Sequence, residues 1–80
     1  MTDTTDYSDR HPGVQELMGF FVYDHLRGGL VRDTSKACGE LADAMLGELD
    51  DCAELTFGLR QLLLAKDALV RCAVKQTAAA

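Results

Sequence analysis

The chain has 80 residues, of which 48% are hydrophobic and 26% are charged, and its formal net charge is −5. This length allows one small domain whose core alone would be marginal, so a homo-oligomer is expected. The negative charge disfavours binding to DNA or RNA polymers, which requires many cations against the phosphates. No apolar run approaches the roughly 18 residues of a membrane span, so no membrane association is expected.

The first residues, MTDTTDYSDRHPG, are polar and acidic. A secretory signal would be basic and then apolar, so this start predicts a cytoplasmic protein. Residues 1–12 contain almost no apolar side chains and are predicted to be a flexible acidic tail.

A short helix is predicted after the tail, over residues 14–22. Four apolar residues recur there at helical spacing: Val14, Leu17, Met18 and Phe21. The run FFVY within this segment fits an extended conformation equally well. The pair Gly28 and Gly29 then predicts a loop, because glycine stops helices and allows backbone conformations that are closed to other residues.

The segment SKACGELADAMLGEL predicts an amphipathic helix over about 35–49. Its apolar residues follow the i, i+3, i+4, i+7 template: Cys38, Leu41, Ala42, Met45, Leu46 and Leu49. One of three polar residues, Asp33, Thr34 or Ser35, can supply the N-cap of this helix.

A second long helix is predicted to begin near Cys52, because Asp51 followed by Glu54 resembles a capping box. It extends to about residue 75, and its short connection to the preceding helix favours side-by-side, antiparallel packing. The sequence therefore predicts an all-α fold with a short N-terminal helix and a long antiparallel αα-hairpin. The hairpin domain spans 13–76, and a flexible tail follows at 77–80.

The second long helix carries more apolar surface than one partner helix can cover. Leu64 projects among charged residues, and Gly58, Ala65 and Cys72 form a seam of small residues at seven-residue spacing. Single exposed residues of this kind are common. In so small a domain, however, the pattern favours a second helix-packing surface within a homo-oligomer.

The basic residues of this helix have two interpretations. Arg60, Arg71 and Lys75 project within about 60° of one another at 100° per residue. Asp67 lies four residues before Arg71, in the orientation of a helix-surface ion pair. The strip is therefore either a solvated face or a site for a phosphate or an acidic partner.

Tyr23 and Lys66 also have alternative roles. Tyr23 lies beside His25 and Arg27 upstream of the glycine pair, where a ring, a histidine and a cation can hold a nucleobase and its phosphate; ordinary packing of the tyrosine is the alternative. Lys66 lies near the centre of the leucine face. Its ammonium can escape to water, pair with a buried carboxylate or face a ligand between subunits.

Catalysis is not expected. The sequence contains no GxSxG, P-loop or HExxH motif, and its histidines are isolated. Cys38, Cys52 and Cys72 lack the spacing of a zinc site and are interpreted as buried, reduced side chains, so no cofactor or metal is predicted.

The run ELTFGLRQLLLAKDALVRCAV, with ELADAML and FVYDHL upstream, resembles a family of small helical-hairpin proteins of phages and prophages. These are the anti-CBASS and anti-Thoeris cyclic-nucleotide sponges. The resemblance covers residues 20–75, and the LRxLLxAKDxxVR pattern is its specific part. It implies a three-helix subunit assembled as a homo-oligomer, a hexamer, in the host-cell cytoplasm. It also implies that the protein binds cyclic di- or trinucleotides, or cyclic ADP-ribose isomers, without cleaving them.

The resemblance assigns roles to individual residues. Tyr23 matches the tyrosine of the family's FxY pattern, which stacks on a base at a subunit interface. Lys36, or Arg32 in its place, is similar in position to the basic residue that meets the phosphates. Arg71 or Lys75 corresponds to the basic residue at the site for cyclic trinucleotides.

A helical oligomeric adaptor is the alternative hypothesis. Such a protein would bind a helix of a host or phage protein through its exposed apolar strip and would need no small ligand. The sponge requires Lys36 or Arg32 near Tyr23 across a subunit boundary, whereas the adaptor requires only Leu64 and its small neighbours to be exposed.

Overall fold

The computed structural model describes residues 8–23 and 29–79, which form three helices and no strand. Helix α1 spans Pro12–Gly19, α2 spans Leu30–Glu48 and α3 spans Ala53–Ala79. α2 and α3 pack against each other, and α1 packs against α3. The predicted all-α class is confirmed.

The two long helices are antiparallel. Met45 near the end of α2 lies beside Leu55 near the start of α3, and Leu30 at the start of α2 lies beside Gln76 near the end of α3. Residues 49–52 connect them, a link of the length that joins the two helices of an αα-hairpin. The structure thus contains the predicted αα-hairpin.

α1 is shorter than predicted and begins earlier. His11 is its N-cap, and the Nδ1 atom of this residue accepts a hydrogen bond from the Gly13 N–H at 2.9 Å. Pro12 occupies the first turn, where its fixed φ and missing N–H are tolerated. The helix ends at Gly19 with Phe20 as C-cap, so the later part of FFVY is not helical.

α2 begins at Leu30 and not near residue 35. Its N-cap is Gly29, whose φ of 113° lies in the region that favours glycine. None of the three predicted caps serves: Asp33 lies in the first turn, the Thr34 Oγ1 donates to the Leu30 carbonyl at 2.8 Å, and Ser35 is buried in the helix.

Arg10 fastens the end of α2 to the connection that follows it. Its guanidinium donates to the carbonyls of Leu46 at 2.9 Å and Leu49 at 2.7 Å, which are carbonyls left free at a helix C-terminus. Its Nε also donates to the Asp51 carboxylate at 2.8 Å, and the His11 N–H donates to the other oxygen of Asp51 at 2.6 Å. Arg10 and His11, which the sequence analysis assigned to the tail, therefore belong to the fold.

The capping-box interpretation of Asp51 is wrong, although α3 begins at Ala53, next to the predicted start. Both oxygens of Asp51 accept hydrogen bonds from Arg10 and His11 and not from the first turn of α3. The His11 backbone N–H, followed by the Arg10 guanidinium, lowers the pKa of the Asp51 carboxyl below its ordinary value. At its other end α3 continues to Ala79, past the predicted end near 75.

The core lies where α1 and the segment after it cross the hairpin. It is formed by buried apolar residues from all three helices and the turn after α1: Val14, Leu17, Met18, Phe21, Ala42, Leu46, Leu55 and Leu59. All four apolar residues predicted for the first helix are in this cluster.

The apolar face predicted for α2 divides into two halves. Ala42 and Leu46 join the core, whereas Leu41, Met45 and Leu49 remain exposed. One face of the hairpin is therefore apolar and uncovered in the single chain. The cysteines divide as well, because Cys38 is buried while Cys52 and Cys72 are exposed, which corrects the prediction that all three are buried.

Candidate functional site

Lys66 binds the end of α1. Its Nζ donates a hydrogen bond of 2.6 Å to the carbonyl oxygen of Phe20, the C-cap residue. The carbonyls at a helix C-terminus carry partial negative charge, so an ammonium stabilises them. None of the three roles proposed for this lysine describes the contact, which is a structural bond to a backbone carbonyl that joins α3 to α1.

A cleft of about 290 Å³ opens beside Lys66, between α2 and α3. Its apolar walls come from three valines, Val22, Val31 and Val70. Lys66 and Arg71 supply cations, and Asp67 supplies one carboxylate. An ammonium has three N–H donors, so Lys66 retains two after its bond to Phe20, and the guanidinium of Arg71 has five. The cleft therefore combines apolar walls with several hydrogen-bond donors.

Ser35 also lines this cleft, and its side chain is the buried polar group that stands out in the fold. It is 1% exposed, and its Oγ has no hydrogen-bond partner among the described residues. A buried hydroxyl without a partner costs about 1–3 kcal/mol. A ligand in the cleft that hydrogen-bonds to this hydroxyl would recover that free energy. Its position near the predicted helix start favoured Ser35 only as an N-cap. A serine one turn after Val31 and one turn before Cys38, on an apolar helix face, is the signal that could have identified it.

Tyr23 follows α1, packs against α2 at Gly39 and is half-buried. The guanidinium carbon of Arg32 lies 5.3 Å from the centre of its ring, within the range of a cation–π interaction. A Cβ added at Gly39 would be 3.4 Å from the ring, so the tyrosine packs closely on the bare backbone there. Of the two basic residues proposed beside Tyr23, Arg32 makes this contact within one chain, and Lys36 lies one helical turn further.

The remaining predicted residues are distributed more widely. Arg71 lines the cleft, whereas Lys75, one turn later on α3, is exposed and does not line it. The expected ion pair between Asp67 and Arg71 is not formed in the described part of the chain. His25 lies in the segment 24–28, outside the described residues.

The described residues contain no cluster of three histidine, cysteine or acidic side chains arranged to hold a metal ion. Nor do they contain a helix with the length and apolar character needed to cross a membrane. No family model matches the chain, and no curated protein or solved structure gives a match to it.

Proposed function

We propose that this protein is a non-catalytic sponge that binds a cyclic nucleotide signal in the cleft between α2 and α3 and so blocks anti-phage defence. The ligand class is a cyclic di- or trinucleotide or a cyclic ADP-ribose isomer. The observation that carries the proposal is the Ser35 hydroxyl, which has no hydrogen-bond partner among the described residues and is buried in a cleft with Lys66 and Arg71. Tyr23 and Arg32, which contact each other, directly follow the cleft residues Val22 and Val31 in sequence.

The chemistry of the cleft suits a sugar and its phosphate. Arg71 can meet a phosphate with two parallel N–H donors, and the free N–H groups of Lys66 add a second positive charge. The Ser35 hydroxyl can donate to a phosphate or ribose oxygen, while the valine walls exclude water from one side. Asp67 opposes an anion, and this carboxylate also provides an acceptor for a ribose hydroxyl.

The Tyr23–Arg32 pair supplies the surface for a base. A nucleobase stacks on an aromatic ring or on a guanidinium plane, and each such contact is worth about 1–3 kcal/mol. Because Arg32 already lies over the ring, a base either takes its place or stacks on the outer side of the guanidinium. In both arrangements the arginine stays close enough to meet the phosphates.

A homo-oligomer completes this proposal. The cleft of about 290 Å³ is just below the range for ligand pockets, about 300–1,000 Å³. One chain can therefore enclose only part of a cyclic nucleotide, and a second copy would enclose the rest. The hexamer in the host-cell cytoplasm that the sequence resemblance implies is part of the same proposal. Sequestration works by mass action, so it requires abundant, tight-binding protein and no turnover.

Isothermal titration calorimetry against a panel of cyclic di- and trinucleotides and cyclic ADP-ribose isomers tests the proposal. We expect tight binding to one class, weakened at least tenfold by Tyr23→Ala and by Arg71→Ala. Ser35→Ala should weaken binding as well while stabilising the fold, because it removes a buried polar group that has no partner among the described residues.

Lys75→Ala is the control, because Lys75 is an exposed cation of the same helix, one turn after Arg71, that does not line the cleft. It removes the same charge from α3 as Arg71→Ala does. Because the residue lies outside the cleft, the affinity should stay unchanged within about twofold. A loss of affinity equal to that of Arg71→Ala would mean that general charge, and not the cleft, attracts the ligand. Absence of heat with the whole panel, from folded protein, would refute the sponge.

The helical adaptor is the second candidate. The exposed leucine Leu64, at 63%, is the observation that favours it, because an apolar residue on a charged helix surface is a common anchor for a partner helix. An adaptor would bind none of the cyclic nucleotides, and Tyr23→Ala would leave its partner binding intact.

A further inference from the structure

A groove of about 540 Å³ lies at the end of the hairpin where α2 meets α3, away from the cleft. Its walls and floor are apolar side chains of both helices: Met45, Leu49, Leu55, Leu59 and Leu62. Gly58 opens it further, because a Cβ added there would meet nothing within 4 Å. Asp50 and Glu54 lie at its rim and make the groove acidic.

A second apolar surface lies on the opposite side of α3. Phe57 and Leu64 are 64% and 63% exposed, more than any other large apolar side chain described. They are seven residues apart, almost two turns, so they share one side of the helix, roughly 180° from the groove residues of α3. Arg60 lies between them on that side, three residues after Phe57 and four before Leu64. We call Phe57, Arg60 and Leu64 the basic strip.

We propose that the basic strip of one copy docks into the acidic groove of the next, so that copies of this chain assemble head to tail. The contact covers both exposed apolar surfaces at once, with Phe57 entering the groove near Gly58. It brings Arg60 of one copy to Asp50 and Glu54 of the other. The proposal rests on the homo-oligomer of the proposed function but not on its ligand.

Charge disfavours the two symmetric alternatives. Two grooves face to face would bring Asp50 and Glu54 against the same carboxylates of the second copy. Two basic strips face to face would bring Arg60 against its counterpart. Like charges across an interface are strongly unfavourable, whereas groove against strip pairs opposite charges. A contact between two different surfaces generates a closed ring, or a filament if the rotation does not close, and a hexamer is one such ring.

Two variants and their mixture test this contact by sedimentation velocity. Gly58→Phe fills the groove and leaves the strip intact, and Phe57→Ser disables the strip and leaves the groove intact. The account predicts that the wild type assembles and that each variant alone is monomeric. An equimolar mixture should form a heterodimer of twice the monomer mass, because one groove and one strip remain for a single contact.

Leu69→Ser is the control, since Leu69 is a comparably exposed apolar residue of α3 that lies outside both surfaces. It should assemble like the wild type, and circular dichroism should show that all three variants are as helical as the wild type. If a variant loses helicity, Asp50→Lys and Arg60→Glu replace the pair. Each alone should be monomeric, whereas their mixture should assemble beyond a dimer, because the two reversed charges also pair with each other.

Three results would overturn the proposal. A monomeric wild type would refute both this contact and the homo-oligomer. Phe57→Ser or Gly58→Phe that assembles like the wild type would show that the altered surface is not used, and single variants that stay monomeric when mixed would show that groove and strip do not bind each other. In these last two cases the sponge itself would be unaffected, because calorimetry measures its ligand separately.

Discussion

Gly39→Ala tests how the segment after α1 lies on α2. A Cβ added at Gly39 would be 2.8 Å from the Phe21 carbonyl oxygen and 3.4 Å from the Tyr23 ring. Ordinary contacts begin near 3.4 Å, so the backbone oxygen would have to move by about 0.6 Å. That oxygen is part of the chain and not the end of a flexible side chain. The methyl group therefore displaces the segment that carries Tyr23.

Gly47 provides a control on the same helix, because a Cβ added there would meet nothing within 4 Å. Alanine in place of glycine favours a helix by roughly 0.5–1 kcal/mol, and Gly47→Ala should stabilise the protein by about that amount. Gly39→Ala has the same gain in helix propensity, but overpacking there costs about 1–3 kcal/mol. Gly39→Ala should therefore be less stable than Gly47→Ala by about 1–3 kcal/mol.

Urea denaturation followed by far-UV circular dichroism measures this difference at matched protein concentration, since an oligomer's stability depends on concentration. Comparison of the two variants cancels the helix propensity that both gain. Gly39→Ala should also weaken nucleotide binding, because it moves Tyr23. Equal stability of the two variants would refute the close contact between Gly39 and Phe21.

Three further predictions concern single contacts. Lys66→Met keeps the apolar stem but removes the hydrogen bond to Phe20, and it should lower the free energy of unfolding by about 1 kcal/mol in the same assay; an unchanged value would contradict the bond. The lowered pKa of Asp51 stabilises the fold fully above the unfolded-state pKa of about 3.9, and this contribution is lost as pH falls through the folded-state pKa. The free energy of unfolding should therefore fall below about pH 4, and it should fall less in Asp51→Asn. Equal pH dependence in the two proteins would contradict the lowered pKa of Asp51. Cys72 should react quickly with a thiol reagent in the native protein and Cys38 only on unfolding, so equal rates would contradict their burial.

Periodicity predicted the hairpin well, because the spacing of apolar residues depends only on the local helix. The start of α2 was missed for an equally local reason. The sequence prediction looked for a side-chain oxygen of Ser, Thr or Asp as the N-cap, whereas the N-cap is Gly29, which has no side chain and makes no side-chain hydrogen bond to the helix. Residues 30–34 carry few apolar positions that periodicity could use.

The contacts that position the candidate site could not be predicted from spacing. Lys66 binds a backbone carbonyl 46 residues away in sequence. Every residue has such a carbonyl, so the pattern of side chains does not identify the acceptor. Arg10 likewise binds two carbonyls across the fold, so an acidic, polar start concealed a structural residue. Tyr23 and Arg32 were singled out through resemblance and the proximity of an aromatic ring to cations, and the structure brings these two together.

The central claim is that the protein holds a cyclic nucleotide and returns it unchanged. The most direct measurement is equilibrium dialysis of the protein against the best ligand of the panel, followed by heat denaturation and mass spectrometry of the released nucleotide. The account predicts retention of ligand in proportion to protein, full recovery of the intact cyclic form, and no retention by Tyr23→Ala. A ligand that reaches equal concentrations on both sides of the dialysis membrane, or one that is recovered as a linear product, would contradict the claim.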